Sequence, residues 1–290
     1  MNKQNTLVSI LIINYNNHSL LKRSIKSCLN QSYKNIEILI FDDQSNDNSS
    51  NVLKKFKKNK KIKIFFNKNK KANIAALDAA NGYRFLFKKS KGKIICLLDS
   101  DDFYHKDKIF KINDCFEKNR SYDLIQNLPI IVENNAKNYK KNRNNIFSYW
   151  PYLAPESCIN FRRNFMLRFL KKNKYLNHKF TNVWLGFRMG VYAFFIENTL
   201  LTLNENITYY KSYGESKKYF IFGYSWFIRR KNSFDYLFEI SKYKYKYKYK
   251  YKYKYKYKYI YKYKYKYKYK YKLNFDYFFT LVFSKILKYL

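Results

Sequence analysis

Two hydrophobic periods alternate through the first hundred residues. Leu7–Ile13 is an apolar run, followed by Leu21, Ile25, Cys28 and Leu29, spaced as one face of a helix. The cap candidates Asn16, Asn17 and Ser19 stand between them. The alternation then repeats. Ile36–Phe41 predicts a strand, Val52, Leu53 and Phe56 a short helix, and Ile62–Phe66 a strand. A helix over Ala72–Phe87 and a strand over Ile94–Leu98 complete the series. Strands that are apolar on both faces and separated by helices predict an α/β fold with a Rossmann-like, mostly parallel sheet.

The pattern is less regular further on. Pro129 to about Asn145 is rich in Asn and Lys and predicts a loop. Ser148–Arg163 and a helix-like stretch to Lys174 predict order, as do Trp184–Ile196 and Leu200–Tyr210. Residues 216–242 form an aromatic and basic connecting segment. Over 243–272, 15 Tyr and 14 Lys alternate, broken once by Ile260. That regularity exceeds what packing needs and marks a low-complexity repeat. In residues 273–290, Phe275, Phe278, Phe279, Val282, Phe283, Ile286, Leu287 and Leu290 make one apolar stripe of an amphipathic helix. Such a helix lies on an anionic membrane surface or docks on its own domain. Residues 241–290 are accordingly expected to be dispensable for the fold.

Composition tempers the charge. The 290 residues carry 60 Lys and Arg against 20 Asp and Glu, a formal net charge of +40. Only 10 of the basic residues are Arg, and Lys, Asn, Tyr, Phe and Ile share A/T-rich codons. The excess therefore reflects codon bias before it reflects a polyanionic partner. Sequence-reading DNA binders favour Arg, and no nucleic-acid motif occurs, so a nucleic-acid partner is not expected. Cys28, Cys96, Cys115 and Cys158 have no paired spacing, and His18, His105 and His178 stand alone, so neither disulfides nor zinc are expected. No run approaches the roughly 20 apolar residues of a membrane span. A cytoplasmic protein, peripheral at the inner face of the cell membrane, is the expected setting.

The candidate chemistry stands at strand ends. Ile36–Phe41 runs into Asp42-Asp43, and Ile94–Leu98 runs into Asp99-Ser100-Asp101-Asp102. Ligands of open α/β sheets bind at the carboxyl ends of strands, where two such clusters would converge. Either cluster alone could be a helix cap; both together point to function.

Four ordered segments resemble family 2 glycosyltransferases. They are Val8–Asn16, Cys28-Leu29-Asn30-Gln31-Ser32-Tyr33, Ile36–Phe41 with Asp42–Asp47, and Leu97–Asp102 with its Asp-x-Asp motif. The resemblance covers residues 7–110 well, thins through 148–190, and ends near 215. It implies a GT-A fold and sugar transfer, with inversion, from a nucleotide-diphosphate donor to a glycan or lipid-linked acceptor in surface polysaccharide synthesis. By the same resemblance residues 1–215 form the transferase domain, with a nucleotide-sugar half over 7–128 and an acceptor half over 129–215. Asn14 and Tyr15 would line the nucleoside pocket, and Asp42 or Asp43 would bond base or ribose. Asp99 would lie near ribose and metal, and Asp101 would hold Mn²⁺ or Mg²⁺. Hard carboxylate oxygens suit such a cation beside a diphosphate.

Two departures stand out. Gln44 replaces the family's frequent glycine in its turn. The catalytic base is missing from the window around Asn182–Arg188, where Gly186 sits at the expected place. No Asp or Glu occurs between Glu156 and Glu197, so one of these serves from a shifted position or the chain is an impaired relative that keeps nucleotide binding. Transfer is accordingly expected to be weak or absent, and Gly186→Asp would raise turnover if that position faces the acceptor.

Overall fold

The computed structural model describes residues 6–133, 136–139, 150–211, 223–250 and 275–288. Strand β1 (Val8–Asn14) is buried along its whole length, because helices cover both faces of the sheet. Its side chains divide by alternation. Leu11 and Ile13 join Leu39, Phe41, Ile95 and Leu97 in one core, while Val8, Ile10 and Ile12 join Ile38, Ile40, Cys96 and Leu98 in the other. Each fully buried Ile or Leu stabilises the fold by about 1.5–3 kcal/mol, so this central strand anchors both layers.

Helix α1 (His18–Leu29) leads to β2 (Ile36–Asp42), and α2 (Ser49–Lys54) leads to β3 (Ile62–Phe66). Helix α3 (Ala75–Lys89) returns the chain to β4 (Ile94–Asp99) on the far side of β1. Strands β3-β2-β1-β4 are parallel neighbours in that order, so the strand order reverses beside β1. Such a reversal leaves a crevice beyond the strand ends.

The second half is mixed rather than parallel. A short β5 (Phe103–Tyr104) and helix α4 (Lys108–Lys118) precede β6 (Leu124–Glu133), β7 (Ala136–Tyr139) and β8 (Ile159–Arg162). Strand β8 runs antiparallel between β4 and β6 and closes the sheet's parallel part. Helices α5 (Arg163–Asn173) and α6 (Leu185–Val191), then a π-helical turn over Tyr192–Glu197, lead to β9 (Leu200–Lys211), which pairs parallel with β6. The stretch after Pro129 is thus strand, not loop, over 130–133 and Ala136–Tyr139. Ile130, Ile131 and Val132 pair with β7 across a hairpin and with β9 on the other side, which satisfies backbone that the Asn- and Lys-rich composition had suggested was solvated.

The core also continues past residue 215. Helix α7 (Tyr224–Lys250) buries Tyr236, Leu237 and Ile240 in the cluster that holds Leu11 and Leu97. The connecting segment therefore supplies a core helix. Residues 243–250 of the repeat continue its backbone, and 251–272 lie outside the described residues. Helix α8 (Phe275–Ile286) packs on α7, where Asp276 accepts from Arg230 Nε at 2.9 Å and Nη2 at 2.6 Å, and Phe283 stacks on Phe227 at 5.4 Å. Burial does not follow the stripe: its Phe278 and Ile286 are exposed, while Thr280 and Ser284, which lie off it, are buried.

The entrance to α1 shows where local reading fails. None of the Asn or Ser candidates caps it, and Asn17 instead donates from Nδ2 to Ser100 Oγ at 3.1 Å. Asp47 does the capping from a distance, accepting His18 N–H at 2.9 Å on one oxygen and Ser49 N–H at 3.0 Å on the other. These donors hold the Asp47 carboxyl down at about 2, despite an opposing burial effect. A depressed carboxylate stabilises the fold above its unfolded value and loses that contribution as pH falls through its folded value. Asp47→Asn is expected to cost about 1 kcal/mol above pH ~4, and the gap from wild type should close as pH falls towards ~2. Urea melts across that range check it; a gap that does not change with pH refutes the capping role.

Candidate active site

The register of β1 builds the site. Asn14 stands opposite Asp42 of β2, and Ile13 stands opposite Asp99 of β4, so three strand ends open on one crevice. Asn14 Nδ2 donates to Asp42 Oδ2 at 2.8 Å and to Ser45 Oγ at 3.2 Å. Asp42 Oδ1 accepts Ser45 N–H at 3.0 Å, which folds the turn after β2. Gln44 sits in that turn at φ 59°, a left-handed conformation that costs a residue with a side chain about 1–2 kcal/mol. Its Nε2 donates to Asn69 O at 2.9 Å, which offsets part of that cost and explains how glutamine holds a glycine position.

Asp43 turns the other way. It accepts from Asn67 Nδ2 at 2.6 Å and pairs with Lys71 Nζ at 3.3 Å. Lys71 also lies 3.2 Å from the centre of the exposed Tyr15 ring. The sequence suggests a solvated face for this lysine. The structure instead draws it between a carboxylate and an aromatic face, a placement worth about 0.5–2 kcal/mol.

The second cluster is enclosed. Asp99 Oδ1 accepts Tyr83 O–H at 2.7 Å, and its N–H donates to Ser157 Oγ at 3.0 Å. Asp102 Oδ1 accepts Lys211 N–H at 2.7 Å, tying the end of β9 to the motif. Burial, followed by the charges of Glu156 and Asp101, pushes the Asp99 carboxyl well above the usual range. Burial raises Asp101 as well, against Lys211 and Arg23, and Asp102 rises through burial and the charges of Asp101 and Asp99. Asn14 Oδ1 and Asp102 Oδ2 are enclosed without a hydrogen-bond partner among the described residues. An enclosed carboxylate oxygen beside the like-charged Asp99 and Asp101 fits a bound cation, which removes their mutual repulsion. Among the described residues no three His, Cys, Asp or Glu side chains form a metal site by themselves.

The two base candidates separate. Glu156 lies in a 3₁₀ turn (Glu156–Cys158) beside Asp99, and its Oε1 accepts Gly186 N–H at 2.9 Å at the start of α6. Burial raises its carboxyl, opposed by the Gly186 N–H, Arg188 and the Leu185 N–H. Glu197 is elsewhere, gripped by Arg168 Nε at 2.9 Å and Nη2 at 2.8 Å and by Tyr192 O–H at 2.8 Å. Gly186 is buried at the start of α6. A Cβ there would meet Ile159 Cδ1 at 2.6 Å and Glu156 Cγ at 2.7 Å.

Several supporting residues escape a sequence reading. Lys108 is fully buried, its Nζ donating to Ser157 O at 2.6 Å and Thr208 Oγ1 at 2.8 Å, and burial lowers it to about 8. It fixes the turn that carries Ser157 against the end of β4. Its signal was a lysine in the apolar stripe with Ile112 and Cys115. Tyr83 and Asn67 carry no comparable signal. The four cysteines are free and buried, and burial pushes Cys28, Cys96 and Cys158 up to about 12, so they are inert thiols.

A curled sheet whose parallel strands end in acidic turns, extended by antiparallel strands, defines the GT-A class of glycosyltransferase folds. The model of Glycosyl transferase family 2 matches residues 9–199, and the chain belongs to that family. An uncharacterized glycosyltransferase of Haemophilus influenzae is 39% identical over 106 residues, 36% of this chain and 40% of that protein. The Escherichia coli UDP-Glc:alpha-D-GlcNAc-diphosphoundecaprenol beta-1,3-glucosyltransferase WfaP is 39% identical over 103 residues, 36% of this chain and 38% of its own. The matched stretch thus spans two-fifths or less of either relative. Among solved structures, S. aureus TarS in complex with UDP aligns at TM-score 0.55 and 12% identity, over 79% of this chain and 64% of that one. The Pyrobaculum calidifontis mannosyltransferase PcManGT, in complex with GDP-Man and Mn²⁺, aligns at 0.51 and 11% identity over 80% and 62%. At such identities these two show the fold alone.

Proposed function

We propose that the protein transfers a sugar from a nucleotide-diphosphate donor to a lipid-linked or glycan acceptor, with inversion, in surface polysaccharide synthesis. The observation that carries this reading is the convergence of Asn14, Asp42 and Asp99 on one crevice through the register of β1. Asn14, Tyr15 and Asp43 bind the nucleoside there, and Asp42 holds Asn14 and the turn in place. Asp99 and Asp101 hold a divalent cation, Mn²⁺ or Mg²⁺, which supplies Lewis-acid stabilisation of the departing diphosphate. Glu156 takes the proton from the acceptor hydroxyl. Its burial supports this, because a raised carboxyl is a better base near neutral pH. The named activity of the WfaP relative supports a lipid-linked sugar diphosphate as acceptor.

The enzyme works peripherally at the inner membrane face. Among the described residues no helix is long and apolar enough to cross a membrane. The exposed Phe278, Lys285 and Ile286 of α8 and Lys288 just beyond it suit an anionic surface instead. The test is a screen of nucleotide sugars with Mn²⁺, a short-chain sugar-diphosphate lipid and anionic vesicles, following acceptor-dependent release of free nucleotide diphosphate. Release with one donor, and flotation of the full chain with the vesicles, are expected. Nucleotide binding without any transfer would favour the second reading, an impaired relative, which the lack of an acidic residue between Glu156 and Glu197 motivates.

A further inference from the structure

A pocket of about 280 Å³ lies between α6 and α7, and among the residues lining it are Trp150, Trp184, Phe187, Trp226, Arg229 and Arg230. The chain has three tryptophans, and all three line this pocket. That is unexpected in a chain with 26 Phe and 33 Tyr, whose composition follows A/T-rich codons. The single tryptophan codon is rich in G, against the bias of the rest of the chain. Arginine is scarce for the same reason, at 10 residues among 60 basic ones, and two adjacent arginines line the same pocket.

The aromatic groups are held rather than loose. Trp150 packs on Phe187 edge-on at 5.1 Å and on Phe234 at 4.7 Å. Arg230 lies 5.1 Å from the Trp226 ring while its guanidinium is fixed by Asp276 of α8. Position completes the picture. Trp184 immediately precedes α6, whose first N–H groups bind Glu156 beside Asp99. One wall of the pocket is thus continuous with the segment that holds the proposed base. Trp226, Arg229 and Arg230 fall outside the family match over residues 9–199.

We infer that this pocket receives the head group of the acceptor: one pyranose, seated on the indoles, joined to an anionic diphosphate that Arg229 contacts. The inference rests on the transferase reading above. Indoles offer flat apolar surface to the C–H face of a sugar ring together with an N–H donor. Guanidinium groups bind phosphate oxygens through paired charge-assisted hydrogen bonds. The volume lies just below the range of about 300–1,000 Å³ for drug-sized ligands, which suits one ring rather than an oligosaccharide. Arg230, already bonded to Asp276, orients Trp226, so α8 acts as a brace for the pocket.

Because all three tryptophans line the pocket, indole fluorescence of the full-length protein reads it directly. The probes are N-acetylglucosamine diphosphate on a short alkyl chain, the alkyl diphosphate without sugar, the free sugar, and UDP with Mn²⁺. A saturable emission change is expected with the sugar-diphosphate lipid, a weaker one with each fragment, and none with UDP and Mn²⁺. Arg229→Gln should weaken that binding and raise the acceptor KM by about tenfold, the worth of one charge-assisted contact, with donor KM and UDP affinity within about twofold. Retained UDP affinity also certifies the variant's fold, and Trp226→Phe gives a second, milder variant with the same direction. An emission unmoved by millimolar acceptor analogue overturns the inference whatever the transfer assay reads. So does an unchanged acceptor KM in Arg229→Gln, or an equal response to UDP. Binding as expected with no sugar transfer would instead overturn the transferase reading and leave the pocket standing.

Discussion

Asp101→Asn should reduce binding of a nucleotide diphosphate in the presence of Mn²⁺ to the level seen with EDTA, and should lower transfer by about 10²–10³-fold. Asparagine keeps the size of the side chain and removes its charge. The cation then has one hard, charged ligand fewer among the protein's groups, while the diphosphate keeps its own charge. Repulsion sharpens the effect. Asp99 is raised by burial first and then by the charges of Glu156 and Asp101, so the crevice holds its carboxylates together at a cost that a cation removes. Calorimetric titration of UDP with Mn²⁺, with EDTA and in Asp101→Asn checks this. Equal affinity in all three would sink the metal assignment. Glu156→Gln separates the two roles within the same assay. Its amide oxygen can still accept the Gly186 N–H, so nucleotide binding should persist while transfer falls.

The contrast between the two halves has a physical cause. Strands β1, β2 and β4 were legible because each is buried on both faces, which leaves an uninterrupted apolar run between helical periods. Asp42 and Asp99 were legible for the same reason: they stand where an apolar run stops and the sheet's crevice begins. Strands β6, β8 and β9 pair with partners distant in sequence, as Gln126 does with Ile159 and Thr202, and nothing local announces such pairing. Distant partners also hid the cap of α1, which comes from Asp47, and the hold on Asp99 by Tyr83 and Ser157. Helix α7 was missed because its core residues Tyr236, Leu237 and Ile240 are spread through a segment dominated by Lys, Arg and aromatic residues.

Gly186 carries the sharpest divergence between the two readings. The family resemblance makes it the seat of a lost base, so that Gly186→Asp would raise turnover if the position faced the acceptor. The packing around Gly186 predicts the opposite sign. An added Cβ would stand 2.6 Å from Ile159 Cδ1 and 2.7 Å from Glu156 Cγ, distances that require a neighbour to move. Gly186→Ala should therefore cost about 1–3 kcal/mol from overpacking alone. Aspartate adds a second carboxylate against Glu156, whose own carboxyl burial already raises, and an uncompensated charge there brings the total to about 3–5 kcal/mol. Against a typical stability of about 5–15 kcal/mol, such a loss lowers the melting temperature by roughly 10 °C and more. Displacing Glu156 would also disturb the contact that holds it at the start of α6, so transfer should fall rather than rise. Scanning calorimetry and the transfer assay on Gly186→Ala and Gly186→Asp test both parts. A melting temperature unchanged in Gly186→Asp, with transfer increased, would mean that this position faces the acceptor and that α6 starts elsewhere.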